Sequence, residues 1–187
     1  FGESRYEGAI LTSADGITWT RPYLNGEWLN DVAYGEGVYV AVGAAGTIVR
    51  SADGVSWSPV SSGTISNLYG VSYGDGTFVA AGFLPDVDSS VAVLSSSDGI
   101  SWSNLSAGAD LSGDQGFFDV QYCSDRFLAG GRNAGILHSV DHGQTFAISM
   151  TATELQIPAF TYGSGIYFAA GYSTGIGSPD INLISVD

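Results

Sequence analysis

The chain has 187 residues, 44% of them hydrophobic and only 13% charged, with 19 acidic side chains set against five arginines and no lysine. A formal net charge of −14 leaves no basic stripe to offset phosphate repulsion, so nucleic acid and anionic membrane surfaces are excluded as expected partners. One cysteine, Cys123, excludes an internal disulfide, and no apolar run approaches the ~20 residues of a membrane span.

In chain order, Phe1 to Trp19 reads as the second half of a repeat unit. Ala9–Thr12 is a predicted strand, the block Ser13-Ala14-Asp15-Gly16-Ile17-Thr18-Trp19 follows, and Ile17–Arg21 is a second strand. Asn30 to Val60 then states the unit in full, as four short apolar runs punctuated by glycine turns and the block Ser51-Ala52-Asp53-Gly54-Val55-Ser56-Trp57. The rest of the chain copies it. A tyrosine recurs as Tyr34, Tyr73, Tyr122 and Tyr162, and five residues after each stands Tyr39, Phe78, Phe127 or Tyr167. Small-residue exits follow at Ala41-Val42-Gly43, Ala80-Ala81-Gly82, Ala129-Gly130-Gly131 and Ala169-Ala170-Gly171. Further blocks are Ser96-Ser97-Asp98-Gly99-Ile100-Ser101-Trp102 and Ser139-Val140-Asp141-His142-Gly143-Gln144-Thr145-Phe146; the four block serines stand 38, 45 and 43 residues apart. Three landmarks in one order establish an internal repeat.

The runs Val38–Val42, Phe78–Ala81, Phe127–Ala129 and Tyr167–Ala170 are too short for amphipathic helices and rich in strand-forming residues. Tight turns bound them at Gly35-Glu36-Gly37, Gly74-Asp75-Gly76, Cys123-Ser124-Asp125 and Gly163-Ser164-Gly165. Each unit is therefore read as four antiparallel strands, A to D, with the tyrosine ending A and an aromatic opening D. In the block, aspartate is expected to accept backbone N–H bonds across a turn, glycine to take the left-handed position, and the aromatic to pack on the sheet. That is a structural role, and Asp15, Asp53, Asp98 and Asp141, one per unit, are not expected to act as metal ligands or catalytic acids.

The stretch Ser139 to Phe146 has the form S-x-D-x-G-x-T-F, and the other three blocks have the shorter form S-x-D-G-x-[TS]-W. These resemble the Asp-box (BNR) repeat of β-propellers in the sialidase-like superfamily, closest in character to uncharacterised secreted bacterial repeat proteins. The resemblance covers nearly the whole chain and implies an all-β propeller of four-stranded antiparallel blades, with Asp-box turns between strands C and D. Ser13, Asp15 and Trp19, Ser51, Asp53 and Trp57, Ser96, Asp98 and Trp102, and Ser139, Asp141, Gly143 and Phe146 are then the structural box residues. Blades fall at about 30–66, 67–115 and 116–156, with partial blades at 1–29 and 157–187. Strands number 17 on this reading: two, three sets of four, then three through Tyr167–Ala170 to Ile181–Val186. Tyr162 to Ser185 repeats the spacing of Tyr73 to Ser96, so Ser185-Val186-Asp187 reads as half of another block. Both ends carry a C strand and do not complement each other, so the chain reads as part of a longer ring.

A sialidase-like site would need three arginines, an acid and a tyrosine–glutamate pair. Arg50 sits beside a box and Arg126 at an A–B turn, both on the wrong face, so no catalytic residue is nominated. His138 and His142 read as strand and turn residues, without a third ligand for zinc. The long dissimilar loops share the opposite face: Glu3–Gly8, Pro22–Leu29, Phe83–Ser90, Ala107–Gly116 and Tyr172–Asp180. They carry Glu27, Asp86, Asp88, Asp110, Asp114 and Asp180 with Tyr6, Tyr23, Trp28, Phe83 and Tyr172, and function on such a scaffold concentrates in loops. Tyr23, Trp28, Asp86, Asp88 and Asp180 are the candidate ligand-binding residues. Such loops suit a sugar, a protein partner or a hard cation such as calcium, or simply keep the chain soluble; no cofactor is otherwise expected. The favoured function is a non-enzymatic binding or scaffold propeller, extracellular, on a cell surface or periplasmic. A piece of a carbohydrate-active hydrolase and a structural subunit that buries its open blade edges are the alternatives.

Overall fold

The computed structural model describes residues 8–84, 91–105, 116–132, 135–150, 155–173 and 184–186. Among them the chain is built from antiparallel strands, broken by a short 3-10 turn at Ala44–Gly46. A two-stranded ribbon comes first, β1 (Gly8–Thr12) with β2 (Thr20–Asn25). Two four-stranded meanders follow: β3 (Leu29–Gly35), β4 (Val38–Gly43), β5 (Ile48–Ser51) and β6 (Ser58–Val60), then β7 (Asn67–Gly74), β8 (Thr77–Phe83), β9 (Val91–Ser96) and β10 (Ser103–Asn104). The last sheet joins β11 (Gly116–Cys123), β12 (Arg126–Arg132), β13 (Ile136–Ser139) and β14 (Ala147–Met150) to β15 (Leu155–Gly163), β16 (Ile166–Ser173) and β17 (Ile184–Val186). The link between its two halves is the pairing of Arg132 with Gln156.

First strands of consecutive units, β3, β7, β11 and β15, lie side by side, and the sheets stack face to face around them. Val40, Val42 and Ile48 of one sheet meet Leu68, Val71, Phe78 and Leu94 of the next. Val79, Phe83 and Val93 meet Phe117, Val120, Phe127 and Leu137 in turn. These side chains are almost wholly buried, which makes apolar inter-sheet burial the main stabilising term. Every first strand carries a bulge, at Leu29/Asp31, Leu68/Gly70, Phe117/Asp119 and Gln156/Ala159. The bulge explains the small-residue exits: a Cβ on Gly43 or Gly82 would lie 1.9 Å from the carbonyl oxygen of Trp28 or Asn67.

The recurrent tyrosine and aromatic face each other across the A–B hairpin, with ring centroids 4.6 Å apart for Tyr34–Tyr39 and Tyr73–Phe78, 4.9 Å for Tyr122–Phe127 and 4.7 Å for Tyr162–Tyr167. Tyr73 and Tyr122 seat on the preceding hairpin. A Cβ on Gly35 would fall 2.1 Å from the Tyr73 ring, and one on Gly74 would fall 1.9 Å from Tyr122. Where the repeat has Cys123 instead of glycine, the next tyrosine, Tyr162, is 39% exposed; Tyr34, for which the described residues offer no such glycine, is 59% exposed.

Several expectations need correction. The second strand of the N-terminal ribbon starts at Thr20, not Ile17, because Asp15 captures the N–H groups of Ile17 and Thr18 in the turn. It runs on to Asn25, so the expected Pro22–Leu29 loop shrinks to residues 26–28, and Tyr23 is a strand residue opposite Ile10. Phe83 is likewise no loop aromatic: it ends β8, pairs with Val91 and is buried. Tyr172 lies in β16. The recurrent Tyr39, Phe78, Phe127 and Tyr167 each sit one residue into the second strand, and the box tryptophans fall just before the last strand instead of opening it. Of Ile181–Val186, only 184–186 are described, as strand. There Ser185 faces Phe168, whereas Ser51, Ser96 and Ser139 face Tyr39, Phe78 and Phe127, so β17 is one residue out of the block register.

Candidate functional site

The A–B hairpins and the serine–aspartate turns share one end of the strands; residues 26–28, Ala44–Gly46 and 61–66 share the other. At the turn end the chemistry is repeated. Asp53 Oδ1 accepts from the N–H groups of Val55 (2.8 Å) and Ser56 (2.7 Å) and from the Ser51 hydroxyl (2.9 Å), whose oxygen accepts from Gly54 N–H (2.8 Å). Asp15 and Asp98 repeat these bonds with Ile17, Thr18 and Ser13, and with Ile100, Ser101 and Ser96. Gly16, Gly54 and Gly99 take positive φ values of 69–72°. In the longer fourth turn the left-handed pair is His142 and Gly143, and Asp141 binds Gln144, Thr145 and Ser139.

These bonds hold the carboxylates ionised. The N–H groups of Thr18 and Ile17 keep Asp15 well below the usual carboxylate range, those of Ser56 and Val55 do the same for Asp53, and those of Ser101 and Ile100 for Asp98. For Asp141 burial pushes upward, but the Thr145 hydroxyl and N–H, with Ser139 and Gln144, bring it to about 2. Such groups are poor proton donors, and in each the turn's own N–H and hydroxyl groups hold one carboxylate oxygen. A general acid needs the opposite environment.

The opposite environment occurs at two aspartates that sequence reasoning passed over. Asp31 of β3 and Asp119 of β11 are half-buried at the bulges of their strands. Burial raises the Asp31 carboxyl against the N–H groups of Val71 and Val32. Burial also raises Asp119, opposed by the Gln121 amide and reinforced by the charge of Asp31. Asp31 Oδ2 accepts from Val71 N–H at 2.8 Å, tying β3 to β7; Tyr122 N–H donates to Ser72 Oγ at 2.9 Å, tying β7 to β11. Asp119 accepts from Phe160 N–H of β15. The two carboxylates are thus fasteners between successive first strands. An acidic residue inside an otherwise apolar strand was the available signal.

Of the candidate binding residues, Tyr23 is half-buried, with its ring 6.4 Å from Trp57. Trp28 is 54% exposed at the loop end, and its carbonyl accepts from Ala44 N–H at 2.8 Å. Ile65 (71% exposed) and Tyr172 (49%) are on the same end, the latter donating its hydroxyl to Gln156. Asp86, Asp88 and Asp180 lie outside the described residues, as do Asp110, Asp114 and Tyr6. Glu27 is exposed. No group of three or more His, Cys, Asp or Glu side chains stands close enough to hold a metal among the described residues.

The remaining polar side chains join units. Arg50 Nε donates to Asp98 O at 3.1 Å, Arg126 pairs with Asp125 at 2.8 Å and lies over the Tyr167 ring, and His142 pairs with Asp75. His138 bonds Ser149 at 2.6 Å. It borders a groove of about 400 Å³ between β12–β13 and β15–β16, lined by Arg126, Leu128, Ile136, His138, Phe160 and Tyr167 among others.

No family model and no curated protein sequence matches the chain. Solved structures do. YCF48 from Cyanidioschyzon merolae aligns over 95% of this chain and 60% of its own, at 16% identity and a TM-score of 0.62. YCF48 bound to D1 peptide aligns over 85% and 55%, at 15% identity and a TM-score of 0.57. The WD40 β-propeller domain of Doa1 aligns over 94% and 61%, at 12% identity and a TM-score of 0.61. At these identities the likeness is one of fold. The chain is an all-β propeller array spanning about three-fifths of the length of the propellers it matches.

Proposed function

We propose that the chain is part of a non-enzymatic binding propeller of the Asp-box repeat kind, acting outside the cell or at its surface, whose partner docks on the loop end. The observation that carries this reading is Trp28, an indole 54% exposed on a backbone fixed by the Ala44 bond, outside the repeat pattern. A rigid, exposed aromatic at one end of a scaffold is the kind of anchor that dominates recognition of a peptide or a sugar face. At the other end, the turn carboxylates are bound by their own backbones, which fits a structural role and makes them poor proton donors. The peptide-bound form of YCF48 supports a peptide segment as the first class of partner to test.

The test screens the chain on a peptide array and a glycan array, then repeats each hit with Trp28→Ala and Asp53→Ala. Trp28→Ala should weaken binding by more than about tenfold, the effect of truncating an interface anchor, with an unchanged melting temperature. Binding that survives Trp28→Ala but is lost in Asp53→Ala at an unchanged melting temperature would reverse the assignment of the two ends.

A further inference from the structure

The fourth serine–aspartate turn is one residue longer than the other three, and the added residue reaches the neighbouring unit. In the turns at Asp15, Asp53 and Asp98, glycine follows the aspartate directly; between Asp141 and Gly143 stands His142, with a left-handed backbone at φ 61°. Residues other than glycine adopt that conformation uncommonly. The imidazole Nδ1 pairs with Oδ2 of Asp75, at the apex of the β7–β8 hairpin. In the preceding joint the apex acid is Glu36, and it accepts from the hydroxyl of the next tyrosine, Tyr73, at 3.0 Å. Asp75 holds the place of Glu36, and its partner is the added histidine. The pair stands beside a closely packed seat. A Cβ on Gly143 would lie 2.6 Å from Val79 Cγ2, and Phe146 packs on the cluster of Val79, Phe117 and Phe127.

The other ionisable groups around this pair keep one charge state across the neutral range. Asp141 of the same turn, where the turn bonds outweigh the upward push of burial, is held at about 2. Asp125 of the next hairpin is also held at about 2, by the Arg126 guanidinium and the Tyr167 hydroxyl. Burial pushes the phenols of Tyr73 and Tyr122 upward, reinforced by Glu36 and Asp75 at the first and by Asp75 and Asp125 at the second, so both stay neutral. The imidazole is the side chain that changes charge between pH 5 and pH 8. We propose that His142 and Asp75 form a pH-sensitive latch, which tightens the fourth turn onto the β7–β8 hairpin in acid and loosens it above neutrality. The two groups carry opposite charges only while the imidazole is protonated. The latch therefore contributes below the histidine range, near ~6.5 for an unperturbed side chain, and its contribution is lost as pH rises through that range. With the two side chains 57% and 49% exposed, solvent screens the pair. It adjusts the seat of one turn and does not part the apolar joint beneath it.

A double-mutant cycle on the full chain tests this, with urea unfolding of the parent, His142→Asn, Asp75→Asn and the double variant at pH 5 and at pH 8. Asparagine suits both positions because it tolerates the left-handed backbone, and the pH dependence of every other group cancels in the cycle. At pH 5 the coupling should favour the folded state by about two- to fivefold in the equilibrium constant, the range for an exposed ion pair. It should shrink in high salt and fall below about 1.5-fold at pH 8. Equal coupling at the two pH values would mean a hydrogen bond indifferent to charge, and would overturn the latch. So would coupling at pH 5 that is absent or that salt leaves unchanged.

Discussion

Replacing Gly74 by alanine tests the tyrosine-on-glycine joint with a single methyl group. The added Cβ would lie 1.9 Å from Cγ of Tyr122 and 2.3 Å from both Cδ atoms. Ordinary carbon–carbon contact is about 3.5–4 Å, so the ring must retreat by roughly 1.5–2 Å. Gly74 does not adopt a positive φ, and alanine is otherwise favoured over glycine in a strand; any loss therefore reports the clash. Tyr122 cannot withdraw freely, being held against Phe127 at 4.9 Å, a residue with no exposed surface. Overpacking of this kind costs about 1–3 kcal/mol, a fall in melting temperature of roughly 2–12 °C for a chain of this size. Equilibrium urea unfolding would read the change as a lower midpoint at constant slope. In a Tyr122→Ala background the same substitution should fall within about 0.5 kcal/mol of neutral, because the obstructing ring is gone. A neutral or stabilising Gly74→Ala, or an equal cost in both backgrounds, would refute the joint as the reason for glycine.

Asp53→Ala should lower the melting temperature by freeing Val55, Ser56 and Ser51 of their acceptor, while leaving affinity for any array hit unchanged; lost affinity at a constant melting temperature would disprove a purely structural role. The pH dependence divides the aspartates. The lowered group, with Asp141 at about 2, contributes stability that is present above the unfolded value near ~4 and is lost as pH falls through the folded value. Denaturation midpoints should therefore drop between about pH 4 and pH 2, and a flat profile there would contradict the turn bonds. Asp31 and Asp119 run the other way, their raised carboxyls contributing stability at low pH that is lost as pH rises through the folded value. Asp119→Asn keeps an acceptor for the Gln121 amide and removes the half-buried charge, so it should raise the midpoint at pH 7 and not at pH 3. A lower midpoint at pH 7 would show that the ionised form is the fastener.

Local structure could be read from residue types because its causes are local. Ser51, Asp53, Gly54 and Trp57 contain their own turn: the acceptor, the left-handed residue and the flanking aromatic lie within seven positions, and the donors are the backbone between them. The tyrosine and aromatic five residues apart likewise imply a hairpin, since a short turn brings them face to face. Strand ends were less legible. The length of β2 depends on its pairing with β1, and the burial of Phe83 depends on Phe117 and Tyr69 arriving from other strands.

The sequence by itself thus determined the repeating unit, its all-β character and the position of the four turns that begin at Ser13, Ser51, Ser96 and Ser139, all consequences of short-range sterics and hydrogen bonding. Only the tertiary structure decided why glycine stands at Gly35 and Gly74, because the reason is a ring some forty residues further along the chain. It alone turned Asp31 and Asp119 into fasteners, through N–H groups on neighbouring units. It alone buried Phe78 and Phe127 completely while leaving Tyr39, at the same place in the repeat, 36% exposed, since burial is a property of what packs against a surface and not of the residues that form it.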